Sequence, residues 1–476
     1  MIPRFLQGGA PGILLGIESM ASYSTAVVHH QTAAHKMKKY LLYLAQSHPN
    51  FRKAELESLA DLYGIKVDLS NHNENSPFMI VQLENDEQAK KLVKRAVLAK
   101  AIYELWGHGD DLEKMHEDVK RNKDKLVGRF KKSRFKFVIL QYQGKKKTRK
   151  QQTKIMDSFQ YLGLEGKIDL ENPEEKFTVL ETYTIQKSNL EPRPEPDHCW
   201  FGRLVQLSVR SDGIVDKYEI AKRPYYGTTT FESELSLVTC NLAQVRDGAF
   251  IYDPFVGTGS FLLASAYFGG YAFGSDIDFL TLKGGRPGKK NIKNLEDDFE
   301  YYGTHDKFGD VICMDFTNCA LRKDMKIDTI VCDPPYGIRE GVKVCGTTNM
   351  ASAELTKTTL IEGQHVFLRK DYVQPKKSVS LDFMLDDLLQ FAADRLPVGG
   401  RLCFWMPAAN DADIPTLIPQ HQRLELIHTL VQQFNKWSRR LLVYVKRDEH
   451  YNGKTVTREE RAHKNNFRER YFSQFS

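Results

Sequence analysis

The second half of the chain predicts an α/β fold built on a parallel sheet, and an α+β region precedes it. Three observations carry this. From about residue 198, apolar strand-like runs alternate with stretches of helical periodicity, the pattern of strand–helix–strand units. The run "AFIYDPFVGTG" passes straight into a glycine loop and then a helix. Three further apolar runs, "YAFGSDID", "DVICMDF" and "TIVCDPPY", each end in an acidic residue. In such sheets ligands sit outside the carboxyl ends of the strands, which is where these acids and glycines collect.

Element by element, the first half reads as two smaller units. "KKYLLYLAQ" is a strand, and "NFRKAELESLADLYG" is a helix closed at Gly64. "PFMIVQL" is a strand, "DEQAKKLVKRAVLAK" a helix and "AIYELWG" a strand, giving a small α+β domain over 37–108. In 109–190, "DLEKMHEDVKRN" is helical and "SRFKFVILQYQG" is a strand. "TRKQQTKIMDSFQYLG" is an amphipathic helix, and "KIDLENPEEKFTVLETY" reads as strand, turn, strand. The Pro-rich, charged "EPRPEPD" at 191–197 is expected to be a linker, so that 198–476 forms the α/β domain. There "SFLLASAYFG" and "LDFMLDDLLQFAADRL" are helices and "GGRLCFWMP" is a fifth strand. "RLELIHTL" and "RRLLVYVKR" form a closing antiparallel pair.

Composition excludes several classes. With 476 residues, 41% hydrophobic and 27% charged, the chain is globular and long enough for two or three domains. No apolar stretch reaches the roughly 18 residues of a membrane span. The seven cysteines are scattered with no zinc spacing, so no metal site is expected, and a reducing compartment, the cytoplasm, is. Residues 1–36 hold one acid, Glu18, and a single early arginine, Arg4, which fits neither a transit nor a secretory leader. They are expected to be a disordered tail that a start at Met37 would omit.

The chemistry concentrates at the strand ends. The loop after Asp253, with Gly257 and Gly259, lets a ligand approach the backbone closely; it is neither GxGxxG nor a P-loop. Asp276, closing the second strand, suits a ribose diol. Asp315, closing the third, suits an adenine amino group. At "DPPYGIRE", Pro335 restricts Pro334 and each proline fixes its own φ. The carboxylate of Asp333 and the carbonyl of Pro334 then offer two acceptors to one –NH2 group, and Tyr336 offers a ring face. This suits methylation of an exocyclic amine, a poor nucleophile whose transition state gains from acceptors on its N–H bonds. The corner by itself serves guanine and adenine amines alike. An adenine-N6 methyltransferase and a non-catalytic RNA-binding subunit that keeps the fold are the competing readings.

The order DPFVGTG, SDID, MDF, DPPY resembles class I S-adenosylmethionine-dependent methyltransferases of the amino-methylating group, whose core is Rossmann-like. "YDPFVGTG", "GSDID", "DPPYGIRE", "ELWGHG" and "NNFRERYFS" together resemble the catalytic subunits of eukaryotic tRNA guanosine-10 N2-methyltransferases. The resemblance implies S-adenosylmethionine as cofactor, contacted by Asp253, Gly257, Gly259, Asp276 and Asp315, and a guanine held by Asp333, Pro334 and Tyr336. It also implies a tRNA-binding THUMP domain over 109–190 and a small zinc-binding activator subunit as partner. The third strand, at 311–316, would lie at the sheet edge and receive that partner. Relatives have a Gly-Asn-Thr-Ser-Met-Asp stretch where this chain has "GTTTFES" at 227–233, matching at Gly227 and Thr229. The segment 339–380 is either a target-recognition loop or a disordered insertion.

A tRNA needs a cationic surface. From Arg129 to Lys154 no acid occurs, and "GKKKTRKQQTK" enters a helix. Lys145, Lys146, Lys147 and Arg149 are therefore candidate phosphate ligands. Phe135, Phe137 and Tyr142 beside them are either core residues, the favoured reading, or stacking residues.

Overall fold

The computed structural model describes residues 37–188, 190–284, 293–337, 342–369, 372, 374–410, 412–456, 458–462 and 467. The tail at 1–36 lies outside the described residues, as does most of "NNFRERYFS". Residues 37–476 belong to one compact unit.

Six strands of the first half form one sheet. They are β1 (Lys38–Leu44), β2 (Phe78–Leu83), β3 (Ala99–Gly109), β4 (Phe135–Tyr142), β5 (Glu175–Thr182) and β6 (His198–Leu207). Their order is β2-β1-β3-β6-β5-β4, with only β4 and β5 parallel. Helices α1 (Arg52–Leu62) and α2 (Asp86–Lys94) cover one end through Leu56, Leu59, Leu92 and Val93. Helices α3 (Leu112–Val127) and α4 (Arg149–Asp157) cover the other through Met115, Val119 and Ile155. Thr148 and Gln151 close a capping box at the start of α4.

Four sequence expectations change here. Strand β6, assigned to the α/β domain, is hydrogen bonded between β3 and β5 at the centre of the first sheet. The Pro-rich stretch 191–197 is thus an excursion between two strands of one sheet, with Ile185 bridged to Pro192 and the Asp197 N–H donating to Thr182 O. Proline and charge mark a surface loop as readily as a linker. The helix after β2 ends at Lys94, since Ala99 already pairs with Leu44. The segment 167–183 yields one strand, β5, with only a bridge from Ile168 to Phe135 before it.

The second sheet holds β7 (Phe250–Asp253), β8 (Tyr271–Asp276), β9 (Phe308–Cys313), β10 (Thr329–Cys332), β15 (Arg401–Ala409), β16 (Leu424–Gln433) and β17 (Trp437–Lys446). Its order is β16-β17-β15-β10-β7-β8-β9. Five strands are parallel, and β17 and β16 close the sheet antiparallel, as their sequence suggests. Between β6 and β7 lie α5 (Ile214–Lys217) and α6 (Ser233–Leu242). After β7 come α7 (Ser260–Tyr267), α8 (Phe279–Leu282) and α9 (Leu295–Tyr302). One face packs on α6 and α7 through Leu235, Val238, Leu262 and Val331. The other packs on α11 (Leu381–Arg395) through Leu385, Leu388, Ile330 and Phe404. The chain order reverses between β7 and β10, so their carboxyl ends flank the crevice where a ligand belongs. Strand β9 is the sheet edge and runs 308–313 rather than 311–316.

The described part of 339–380 is folded. β11 (Val342–Cys345) pairs with β14 (Lys376–Val379), enclosing α10 (Met350–Thr358) and a small hairpin of β12 (Leu360–Ile361) and β13 (Gln364–His365). Val342 and Val344 enter the core beside α11.

Candidate functional site

The loop after β7 is shaped by its glycines and by a buried ion pair. Gly257 (φ 51°) and Gly259 (φ 79°) occupy the left-handed region that side chains disfavour. A Cβ on Gly259 would also overlap the Leu295 side chain. Arg223, 5% exposed, ties the loop to α9. Its Nε and Nη2 donate to Asp298 Oδ2 at 3.0 and 2.8 Å, Nη2 to Thr258 O at 2.5 Å, and Nη1 to Ser260 Oγ at 3.0 Å. The "GTTTFES" stretch packs on the same loop. Thr230, not Thr229, meets Thr258 Oγ1 at 2.9 Å, and Ser260 Oγ donates to Phe231 O. Sequence reasoning missed Arg223, whose signal is only an arginine in a polar loop.

Asp253 is buried. Its Oδ1 accepts the Phe255 N–H at 2.9 Å, while its buried Oδ2 has no hydrogen-bond partner among the described residues. Burial, with Asp276 and Asp333 nearby, pushes its carboxyl well above the usual range. An unpartnered buried acceptor beside a glycine cradle suits a ligand's ammonium group. Asp276 accepts Gly257 N–H and Asp278 N–H, each at 2.8 Å, and so braces the loop from below; burial raises its carboxyl too.

Asp315 is differently placed than its sequence suggested. Its Oδ1 accepts from Thr317 N–H and Oγ1 at 2.9 and 2.8 Å. Its Oδ2 accepts from Asn318 Nδ2 at 3.2 Å and from Cys345 N–H at 2.7 Å. Four donors fill the capacity of one carboxylate. An adenine amino group finds an acceptor there only if a donor leaves, and the Cys345 N–H belongs to the β11 strap. Lys376 Nζ anchors the partner strand β14 to Ile277 O at 2.9 Å.

At the end of β10 stand Asp333, the buried Pro334, the exposed Pro335 and the half-buried Tyr336. The Tyr336 hydroxyl donates to Asp333 Oδ1 at 2.5 Å, and its ring meets Trp437 edge-on at 6.1 Å. Trp437 in turn stacks on Phe434 at 4.5 Å. Burial pushes the Asp333 carboxyl up to about 6, against the lowering effect of Tyr336 and of Arg439 on β17. The structure therefore brings Asp253, Gly257, Gly259, Asp276 and Asp333 together at the carboxyl ends of β7, β8 and β10. It adds an aromatic and cationic wall from the closing hairpin that the sequence reading did not single out.

The basic run divides. Lys147 pairs with the buried Glu181 at 3.3 Å and the Tyr183 hydroxyl at 3.1 Å, and Lys145 with Glu191 at 3.0 Å. Lys146, Arg149, Lys150 and Lys154 are exposed on α4 and the loop before it. Phe135 is in the core, Phe137 packs against it partly buried, and the partly buried Tyr142 meets Phe78 edge-on. Among the described residues the one cluster with metal-ligating groups is Glu296, Glu300 and His305, all exposed, and all seven cysteines are free. No helix of the described residues is long and apolar enough to cross a membrane.

A parallel sheet with its glycine loop after β7, an acid ending β8 and a closing antiparallel pair defines a class I methyltransferase. The family model for the Tmrp11 THUMP N-terminal domain matches residues 38–210, and that for the RMKL-like methyltransferase domain matches 221–352. A tRNA (guanine(10)-N(2))-methyltransferase of Saccharomyces cerevisiae is 50% identical, over 92% of this chain and 100% of the relative. Those of Schizosaccharomyces pombe and Homo sapiens are 33% and 32% identical, over 92% of this chain and 97% and 96% of theirs. The chain belongs to the tRNA (guanine(10)-N(2))-methyltransferase family. Among solved structures it is similar to TrmN from Thermus thermophilus, at 16% identity over 86% of this chain and 99% of that one, with a TM-score of 0.38.

Proposed function

We propose that the chain methylates the exocyclic N2 amine of a guanosine in tRNA, guanosine 10, with S-adenosylmethionine as methyl donor. The observation that carries this is the Asp333–Pro334–Tyr336 corner at the end of β10, flanking the glycine loop after the adjacent β7. The cofactor supplies an electrophilic sulfonium methyl. Gly257 and Gly259 would admit it, Asp253 would meet its ammonium group and Asp276 its ribose. Asp315 would reach its adenine only after losing one of its four present donors. Asp333 and the Pro334 carbonyl accept the amine's two N–H bonds, hold the nitrogen in line and disperse the charge that develops on it. The Tyr336 hydroxyl takes one acceptor position on Asp333 Oδ1, which leaves the carboxylate capacity for an N–H of the amine.

Asp333→Ala is expected to leave cofactor binding intact. It should lower methyl transfer by about 10²- to 10³-fold, the usual loss for one transition-state hydrogen-bonding group. Total tRNA and nucleoside mass analysis reads the product. A variant that keeps more than about a tenth of the activity refutes the role.

The first half would bind the tRNA as a THUMP-containing module, with Lys146 and Arg149 on its phosphates and Lys145 and Lys147 held closer to the protein. A small zinc-binding activator subunit would add to the free edge of β9. In support, β9 is an edge strand carrying exposed Ile312 and Cys313, and exposed Phe279 and Leu280 lie on α8, which packs against it. Hydrogen exchange with and without the partner tests this: amides 309–313 should gain protection, and no gain there puts the partner elsewhere. The free cysteines support a reducing, cytoplasmic setting.

A further inference from the structure

Arg439 lies two residues beyond Trp437 on the same face of β17. Trp437 meets the Tyr336 ring edge-on at 6.1 Å, and the Arg439 guanidinium is 5.7 Å from the centroid of Phe434, which stacks on Trp437. Arg439 stands opposite Pro407 and Gln432. Its guanidinium sits 3.9 Å from the Phe231 ring centroid and 5.0 Å from that of Trp405. Its Nε donates to Gln432 Oε1, and its Nη2 reaches Glu232 Oε2 at 3.5 Å. Gln432 Nε2 donates to the same Glu232 oxygen at 2.9 Å. On the other side of Glu232, Oε1 faces His48 Nε2 at 3.0 Å.

His48 belongs to the first half, in a turn before α1 that is locked to the methyltransferase sheet. Ser47 Oγ donates to Glu234, and Asn50 Nδ2 donates to Val431 O at 2.6 Å. Phe51 stacks on Trp405 at 5.9 Å. Further along α1, Glu55 accepts Val97 N–H, Leu98 N–H and Asn241 Nδ2, and Arg401 bonds Ser58 and Asp61.

We infer that Arg439 is a positioning residue for the Asp333–Tyr336 corner, and that His48 couples the first half of the molecule to it by sharing Glu232. The inference rests on the proposed role of that corner. Stacking on two rings fixes the guanidinium, which is the arginine-specific part of the argument. Glu232 competes with the corner for its charge. A His48 that donates to Glu232 draws off part of that competition and leaves more positive field at Asp333. Among the described residues, the titratable and charged groups facing Asp333 are Arg439 from β17, Tyr336 from the corner, Asp253 from β7 and Cys332 from β10. Arg439 is the sole cation among them, and it lowers both Asp333 and Tyr336.

The test is single-turnover methyl transfer to tRNA by the full chain, purified with any bound subunit, from pH 5 to 9 at saturating tRNA and cofactor. Ionised Asp333 is the stronger acceptor and disperses the positive charge that develops on the amine, so activity falls as pH drops through its titration. Arg439→Met should lower the rate at neutral pH at least tenfold and move the acid limb to higher pH. The dissociation constant for tRNA should change less than twofold. Arg439→Lys, which keeps the charge, should return the limb toward its original position with only part of the rate. His48→Ala should move the limb in the same direction as Arg439→Met, by less. An acid limb of Arg439→Met that superimposes on wild type overturns the positioning role, and an unmoved limb in His48→Ala overturns the coupling. If Arg439→Met does not fold, the Lys and His48 variants still decide. Asp333→Asn separates the failures: an active Asp333→Asn removes the corner reading itself, whereas an inactive one beside a normal Arg439→Met removes only this inference.

Discussion

Replacing Asp298 by Ala should destabilise the methyltransferase half severely, and the structure sets the size of the effect. Asp298 is fully buried, and its Oδ2 accepts two N–H bonds from Arg223 while Oδ1 accepts the Tyr225 N–H at 2.8 Å. Without it a guanidinium that is 5% exposed keeps only Thr258 O and Ser260 Oγ as partners. Removing one partner of a buried pair costs about 3–5 kcal/mol, because an uncompensated charge stays behind. Replacing both by apolar residues of similar volume is often near neutral for the fold. The pair Arg223→Met with Asp298→Leu should therefore recover most of the stability that Asp298→Ala loses. It should not recover cofactor affinity, because Arg223 also fixes Thr258 and Ser260 in the glycine loop. Urea unfolding followed by circular dichroism and tryptophan fluorescence gives the first quantity, and calorimetric titration with S-adenosylhomocysteine the second. A loss below about 1 kcal/mol in Asp298→Ala, or a double variant that binds the ligand as wild type does, refutes the reasoning.

Charge reversal at Lys146 and Arg149 together should weaken tRNA binding and reduce the slope of log affinity against log salt by roughly 2, about one for each phosphate left without its cation. The same reversal at Lys147 should instead cost stability, since it sets a second negative charge beside buried Glu181; filter binding across a salt series and thermal melting separate the two. Gly259→Ala should lower cofactor affinity by at least tenfold, as a left-handed φ and the Leu295 side chain both oppose a methyl group there, and equilibrium dialysis with labelled cofactor checks it. In the wild type, methyl transfer should fall as pH drops through about 6, where the Asp333 carboxyl takes up its proton; a rate that is flat down to pH 5 means that the ionised form is not required.

Much of the methyltransferase half was legible because its strands announce themselves twice, by apolar runs and by what ends them. Asp253, Asp276 and Asp333 stand where the strand-end pattern put them. The first sheet was read correctly in most of its pieces but not in its closure. A central strand such as β6 carries no mark of which sheet it joins when a Pro-rich loop precedes it. Asp315 shows a different limit. The sequence told that an acid ends β9's run, but not that Thr317, Asn318 and the distant Cys345 would spend its acceptors. Arg439, Trp437 and Phe434 escaped notice because the closing hairpin reads as ordinary amphipathic strand, and only tertiary packing turns that face toward Asp333.

The place of β6 also sets a schedule for synthesis. Strands β1, β2 and β3 can pair with one another as soon as they leave the ribosome. Strands β4 and β5 make a parallel pair that can reach those three only through β6, which is complete about 25 residues after β5. At roughly 5–20 residues per second the exposed edge of β5 waits about 1–5 seconds for β6, and that of β3, complete at residue 109, about 5–20 seconds. A chain released before residue 207 would carry two unsatisfied strand edges and would end before the methyltransferase sheet begins.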